Sequence, residues 1–109
     1  MSLGEEQDVF AALGDPTRRR ILELLADGSV LRVSDISEAF DMTRQAVTKH
    51  LNILRDAGMT ETRWQGRDRL TSVSGTAVDP LRAWLAKYDA FWSEKLAQLK
   101  QNIEEGEGS

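Results

Sequence analysis

The sequence predicts a mainly α domain of five helices with one small β-hairpin, and three stretches carry that prediction. Residues 43–58 form an amphipathic run with a marked start and stop. Residues 60–65 and 68–73 alternate and are rich in β-formers on either side of a Gly66-Arg67 turn, the pattern of a hairpin. From Leu81 to Ile103 apolar residues recur at threes and fours, as along one long helix.

Composition narrows the class. A chain of 109 residues favours one domain, and 40% apolar residues give a small core, so a dimer interface is expected to add stability. No run of 18 apolar residues signals a membrane span, and no basic-then-apolar leader opens the chain. A cytoplasmic protein is the simplest expectation. Without cysteine there is no disulfide framework and no thiolate metal site. Net charge is −4, but its placement matters more than its sum. Residues 43–69 carry six cations against three acids, while the rest of the chain carries eight against fifteen. The middle can therefore meet phosphate although the whole is acidic; charge alone fits an ordinary solvated face equally well.

Residues 1–8 are polar and read as a flexible N-terminus. Val9, Phe10, Ala12 and Leu13 form a short helical stripe that Gly14 ends. Asp15-Pro16 starts a second helix, with Asp15 as N-cap and Pro16 at the first helical position, where its missing N–H costs nothing. Ile21, Leu22, Leu24 and Leu25 supply its buried face. Arg18, Arg19 and Arg20 suit either phosphate contact or a solvated surface with one ion pair. Val30-Leu31-Arg32 reads as a very short strand. Ser34 is expected to cap a third helix through Phe40, with Ile36, Ala39 and Phe40 inward, and Asp41-Met42 leads tightly into the next helix.

That fourth helix has Thr43 as N-cap and Gly58 as the residue able to take a left-handed conformation past its end. Ala46, Val47, Leu51 and Leu54 form its buried stripe. Outside it stand Arg44, Gln45, Thr48, Lys49 and Asn52, with no acid among them. Two short helices joined by a tight turn, the second polar and basic outside, match helix-turn-helix spacing. The hairpin that follows makes it a winged helix-turn-helix, with Arg67 and Arg69 near the wing tip, where arginines reach phosphates or the adjacent minor groove. Charges on an edge strand also deter aggregation, so each wing arginine has a second explanation.

Residues 74–79 are a small-residue connector, and Asp79-Pro80 opens the last helix by the logic of Asp15-Pro16. Leu81, Trp84, Leu85, Tyr88, Phe91, Trp92, Leu96, Leu99 and Ile103 make its stripe long and aromatic. So small a domain has little interior to receive it. Dimer burial is the leading reading, with Phe10, Leu81, Trp84, Leu85, Tyr88, Phe91, Trp92, Leu96 and Leu99 at the interface; an aromatic-lined pocket for a small molecule is the alternative. The folded domain is thus expected over residues 9–103, with residues 80–103 as dimerisation helix and 104–109 as a disordered tail.

This order of elements resembles the ArsR/SmtB family of bacterial winged-helix repressors. The residues that carry the resemblance are Phe10 to Leu25, Val33-Ser34-Asp35-Ile36, Gln45 to Leu51, and Leu54-Arg55-Asp56-Ala57-Gly58. It implies a homodimer that binds a pseudo-palindromic operator and commonly represses its own operon. Metal-sensing members carry Cys-Val-Cys-Asp-Leu on the third helix, where this chain has Arg32-Val33-Ser34-Asp35-Ile36, and its last helix has no histidine. The resemblance is therefore to a branch without metal-sensing ligands, and neither a metal nor another cofactor is expected.

The functional expectation is a dimeric, sequence-specific regulator of transcription that binds double-stranded DNA. Arg44 and Gln45 suit bidentate contacts to guanine and adenine, and Thr48 a thymine methyl. Thr43, Lys49, His50, Arg63, Arg67 and Arg69 are the phosphate and wing candidates, His50 also packing within the helix-turn-helix. An effector, if one acts, is a small molecule or a partner protein. A winged-helix docking module without DNA is the rival, supported by the acidic balance. An enzyme is not expected, since there is no cysteine nucleophile, no phosphate-binding glycine loop and only one histidine.

Overall fold

A computed structural model describes the backbone of residues 2–108 and the side chains of residues 8–106. Helices α1 (Ser2–Leu13) and α2 (Pro16–Leu25) meet at Gly14-Asp15. There Asp15, extended at φ −101° and ψ 126°, accepts the Arg18 N–H at 3.0 Å, and Pro16 opens α2. Helix α1 starts well before Val9, so the backbone of residues 2–8 is helical, ahead of the start that the apolar stripe marks. Glu5, Glu6 and Gln7 are good helix formers and need no apolar stripe to extend a helix backwards. Met1 lies outside the described residues.

After a two-residue strand β1 (Leu31–Arg32), helix α3 spans Val33–Phe40. Its start is not capped by Ser34. Arg32 occupies the N-cap position, and the Asp35 carboxylate reaches back to accept the Arg32 N–H at 2.9 Å. An acid at the third helical position satisfies an orphan donor and complements the helix dipole, so no hydroxyl is needed. Ile36 is buried and Phe40 packs against the core, but Ala39 is exposed, because Val33, Ile36 and Phe40 centre the packed face and Ala39 lies off its edge. Asp41 ends α3 in the left-handed region (φ 52°), which its short polar side chain tolerates. Ser37 stitches the turn, its backbone carbonyl accepting from Met42 N and its hydroxyl donating to Met42 O.

Helix α4 (Arg44–Asp56) ends in a Schellman motif at Gly58 (φ 76°). Met59 N donates to Leu54 O and Gly58 N to Arg55 O, both at 2.9 Å, satisfying carbonyls the helix leaves open. The same turn drives Met59 into the core beside Leu54. Strands β2 (Thr60–Gln65) and β3 (Asp68–Val73) pair antiparallel from Thr60↔Val73 to Gln65↔Asp68, and β1 joins the far side of β3, giving the order β1-β3-β2. Gly66 (φ 62°) is the first of two turn residues, where a primed hairpin turn needs positive φ.

The core gathers Val9 and Ala12 of α1, Ile21 and Leu25 of α2, Ile36 of α3, Val47, Leu51 and Leu54 of α4, with Met59 and Ala77. Three helices thus support α4 from behind. Helix α5 runs over Asp79–Gly108. Asp79 is its first residue rather than a cap: the Val78 carbonyl accepts the Arg82 N–H at 2.9 Å, which puts Val78 in the cap position. The acidic segment 104–108 continues the helix instead of forming a disordered tail: glutamate propagates helix readily, and Gln101 Nε2 donates to Glu105 Oε1 at 3.2 Å. Ser109 lies outside the described residues. The long helix makes the molecule 71 Å in its longest dimension against 32 and 22 Å in the others. No described helix is long and apolar enough to cross a membrane.

Candidate nucleic-acid interface

Thr43 sets where the outward face of α4 begins. It is extended (φ −70°, ψ 153°), and its Oγ1 accepts the Ala46 N–H at 3.1 Å, so one lone pair of its hydroxyl serves the cap while the O–H remains a donor. Burial of Val47, Leu51 and Leu54 then forces Arg44, Gln45 and Lys49 into solvent, with Thr48 and Asn52 half-buried at the margin. Ala46, placed in the buried stripe from sequence, is only half-buried.

The wing approaches this face along one edge. Arg44 and Thr48 of α4, Trp64 of β2 and Arg67 and Arg69 of the turn and β3 line an open cleft of about 290 Å³. The one acid lining it, Asp68, faces the Arg32 guanidinium at 3.7 Å. Arg67 is exposed at the tip. Arg69 is half-buried; its Nη1 donates to Asn52 Oδ1 at 2.9 Å, and its Nε and Nη2 are buried without a hydrogen-bond partner among the described residues. Burial, and then repulsion from Arg55, pull its guanidinium below the ordinary arginine range, though it remains a cation. Arg69 therefore pins the wing to α4, a role that the spacing of charges in the sequence does not reveal. Arg63 is exposed but lies on the other side of the sheet, beside Val30, Glu61 and Leu70. It is the one wing candidate not brought into the cleft.

His50 is half-buried behind this face. Its Nδ1 lies 3.4 Å from Arg18 Nη1 and 3.9 Å from an Asp15 carboxylate oxygen. An arginine N–H donating to Nδ1 requires the proton on Nε2. Arg18 also donates from Nε to Ala12 O at 2.7 Å and from Nη2 to Ala11 O at 3.0 Å, closing the open end of α1. The first arginine of the 18–20 cluster is thus a structural tie among α1, α2 and α4. The Arg18 backbone N–H, the largest cause, holds the Asp15 carboxyl below its ordinary value.

The apolar residues of α5 divide in two. Leu81 packs against the core, and Trp84 meets Phe10 edge-on at 5.5 Å and Tyr88 at 5.0 Å, joining α5 to α1. Leu85, Phe91, Trp92, Leu96 and Leu99 remain 48–61% exposed. Among the described residues no group of three or more His, Cys, Asp or Glu is placed to hold a metal ion.

A helix whose first turns offer a polar face without acids, backed by a three-helix core and flanked by an arginine-bearing hairpin, defines a winged helix-turn-helix DNA-binding regulator. Residues 15–62 match the model of the bacterial regulatory protein arsR family. The transcriptional repressor SdpR of Bacillus subtilis is 33% identical over 81 residues, spanning 74% of this chain and 89% of that protein. The chain belongs to the ArsR family. Among solved structures, the ArsR family transcriptional regulator RHA00566 is 34% identical, with a TM-score of 0.75 over 83% of this chain and 92% of that one. The solution structure of the homodimeric winged helix-turn-helix DNA-binding domain Mb0332 from Mycobacterium bovis is 27% identical, with a TM-score of 0.66 over 81% of each chain.

Proposed function

We propose that this regulator is a homodimeric repressor that binds a pseudo-palindromic duplex operator and is not controlled by a metal. The observation that carries the reading is the N-terminal part of the outward face of α4, which holds Arg44, Gln45, Thr48 and Lys49 and no acid before Asp56 at the helix end, alongside a cleft walled by wing arginines. Helix α4 enters the major groove with its N-terminal turns foremost. Arg44 contacts guanine, Gln45 adenine and Thr48 a thymine methyl. Lys49 and Arg67 neutralise phosphates, and Thr43 contributes by fixing the helix start. His50 offers a ring N–H to the DNA backbone. Arg69 acts mainly through the wing's position, and Arg63 reaches only phosphates along the wing's outer side.

Dimerisation is supported by the exposed stripe on α5 and by the homodimeric state named for the Mycobacterium bovis domain. A two-fold axis sets the two copies of α4 about 34–36 Å apart, one helical turn of DNA. Repression follows the named role of the Bacillus subtilis relative. The absence of cysteine and the single histidine argue against a metal effector, which leaves a small molecule, a partner protein or no ligand at all. The net charge of −4 favours a second reading, a protein-docking module that never meets DNA.

Duplex DNA from upstream of the protein's own gene, titrated at several salt concentrations, separates the two. If about six phosphates are neutralised per site, the log–log slope is near −5. No retarded species, or a slope of zero, removes the DNA reading.

A further inference from the structure

We propose that Trp64 is a DNA-contacting residue whose indole lies against the sugar–phosphate strand entering the cleft between α4 and the wing. This rests on the DNA-binding reading above and adds to it a contact that its charged residues do not supply. Trp64 is 65% exposed, the most exposed large apolar side chain among the described residues. Its position follows from the strand alternation. Thr60, Thr62 and Trp64 share one side of β2. Thr60 is buried and Thr62 half-buried where helix and sheet meet, and the cover runs out at Trp64. The ring is left standing at the edge of the cleft that Arg44, Thr48 and Arg67 also line.

The chemistry of that cleft selects its occupant. Its cations outnumber its acids, and the single acid is engaged by Arg32. An acidic backbone is admitted and a basic one repelled. A flat apolar surface between two arginines matches a strand in which phosphates alternate with deoxyribose: the arginines take the phosphates and the indole covers the sugar. The cleft is also continuous with the base-reading face, since Arg44 and Thr48 belong to both. A strand held by α4 therefore passes Trp64 on its way to Arg67.

The two kinds of contact respond differently to salt. A lost cation–phosphate contact weakens binding and lowers the log–log salt slope by about 0.9. A lost apolar contact weakens binding and leaves the slope alone. Trp64→Ala, Trp64→Phe and Arg67→Ala proteins are compared with wild type on operator and unrelated duplexes across a salt series. Thermal unfolding checks that Trp64→Ala folds like wild type, as an exposed residue allows. The expected result is an affinity loss of about tenfold for Trp64→Ala on every sequence with an unchanged slope. Trp64→Phe recovers most of the loss, and Arg67→Ala lowers the slope. Wild-type affinity for Trp64→Ala, or a loss accompanied by a changed slope, overturns the contact while wild-type binding keeps the DNA reading intact. Failure of the wild type itself to bind overturns both.

Discussion

Leu96 gives the most quantitative handle on the α5 stripe. It is 61% exposed in the single chain, more than any other residue of that stripe. Full burial of a leucine is worth about 1.5–3 kcal/mol, so covering the exposed part stabilises by about 1–2 kcal/mol. In an isologous dimer the residue appears twice, and Leu96→Ala removes about 2–4 kcal/mol from association. The dimer dissociation constant should rise about 30- to 1,000-fold. Sedimentation over a concentration series measures it directly. Unfolding of the dilute, dissociated chain should scarcely change, because Leu96 makes little of the protomer's own core. A wild-type chain that stays monomeric at high concentration refutes the reasoning. So does a Leu96→Ala chain that dimerises as well as wild type.

Two further outcomes follow from the site. Asn52→Ala removes the acceptor of Arg69 Nη1 and leaves a half-buried guanidinium with one fewer partner. Hydrogen exchange of the β2–β3 amides should speed up while the amides of α2 and α3 hold; uniform protection would refute the pinning role. Asp15 binds its proton less readily when folded than its ordinary value of 3.8, so its contribution is present above that pH and is lost as pH falls through the lowered folded value. Asp15→Asn keeps a good N-cap but cannot titrate. Its stability should therefore fall less than that of wild type when the pH drops below 3.8; parallel acid-unfolding curves would refute the assignment.

Much of this architecture was legible because its signals are local. Asp15-Pro16, Thr43 and Gly58 are backbone devices that act within a few residues, and each operates in the structure as its chemistry requires. Both wing strands begin and end where alternation and the Gly66-Arg67 turn place them. The extents of α1 and α5 were less legible, since glutamate-rich segments carry no stripe and read equally as solvated coil or as helix. The start of α3 was misplaced because an acid at the third helical position did the work assigned to a hydroxyl.

The site was legible where burial alone decides orientation. Once Val47, Leu51 and Leu54 face inward, Arg44, Gln45 and Lys49 have nowhere to go but out. It was not legible where residues distant in sequence meet. Nothing in the local pattern places Asn52 against Arg69, Arg18 against His50, or Arg63 on the side of the sheet away from the cleft. Trp64 did carry a signal, an aromatic at an alternating position two residues before the turn. Its meaning depended on knowing where the cover from α4 ends.

The outward face of α4 is proposed to read base sequence while the wing supplies affinity. The most direct test is the affinity of Gln45→Ala for the operator, selected from a random duplex pool, against its affinity for an unrelated duplex. The expected loss is about 1–3 kcal/mol on the operator and almost none on the unrelated DNA, since a bidentate base contact discriminates while phosphate contacts do not. Equal losses on both duplexes, or no loss on either, would contradict it.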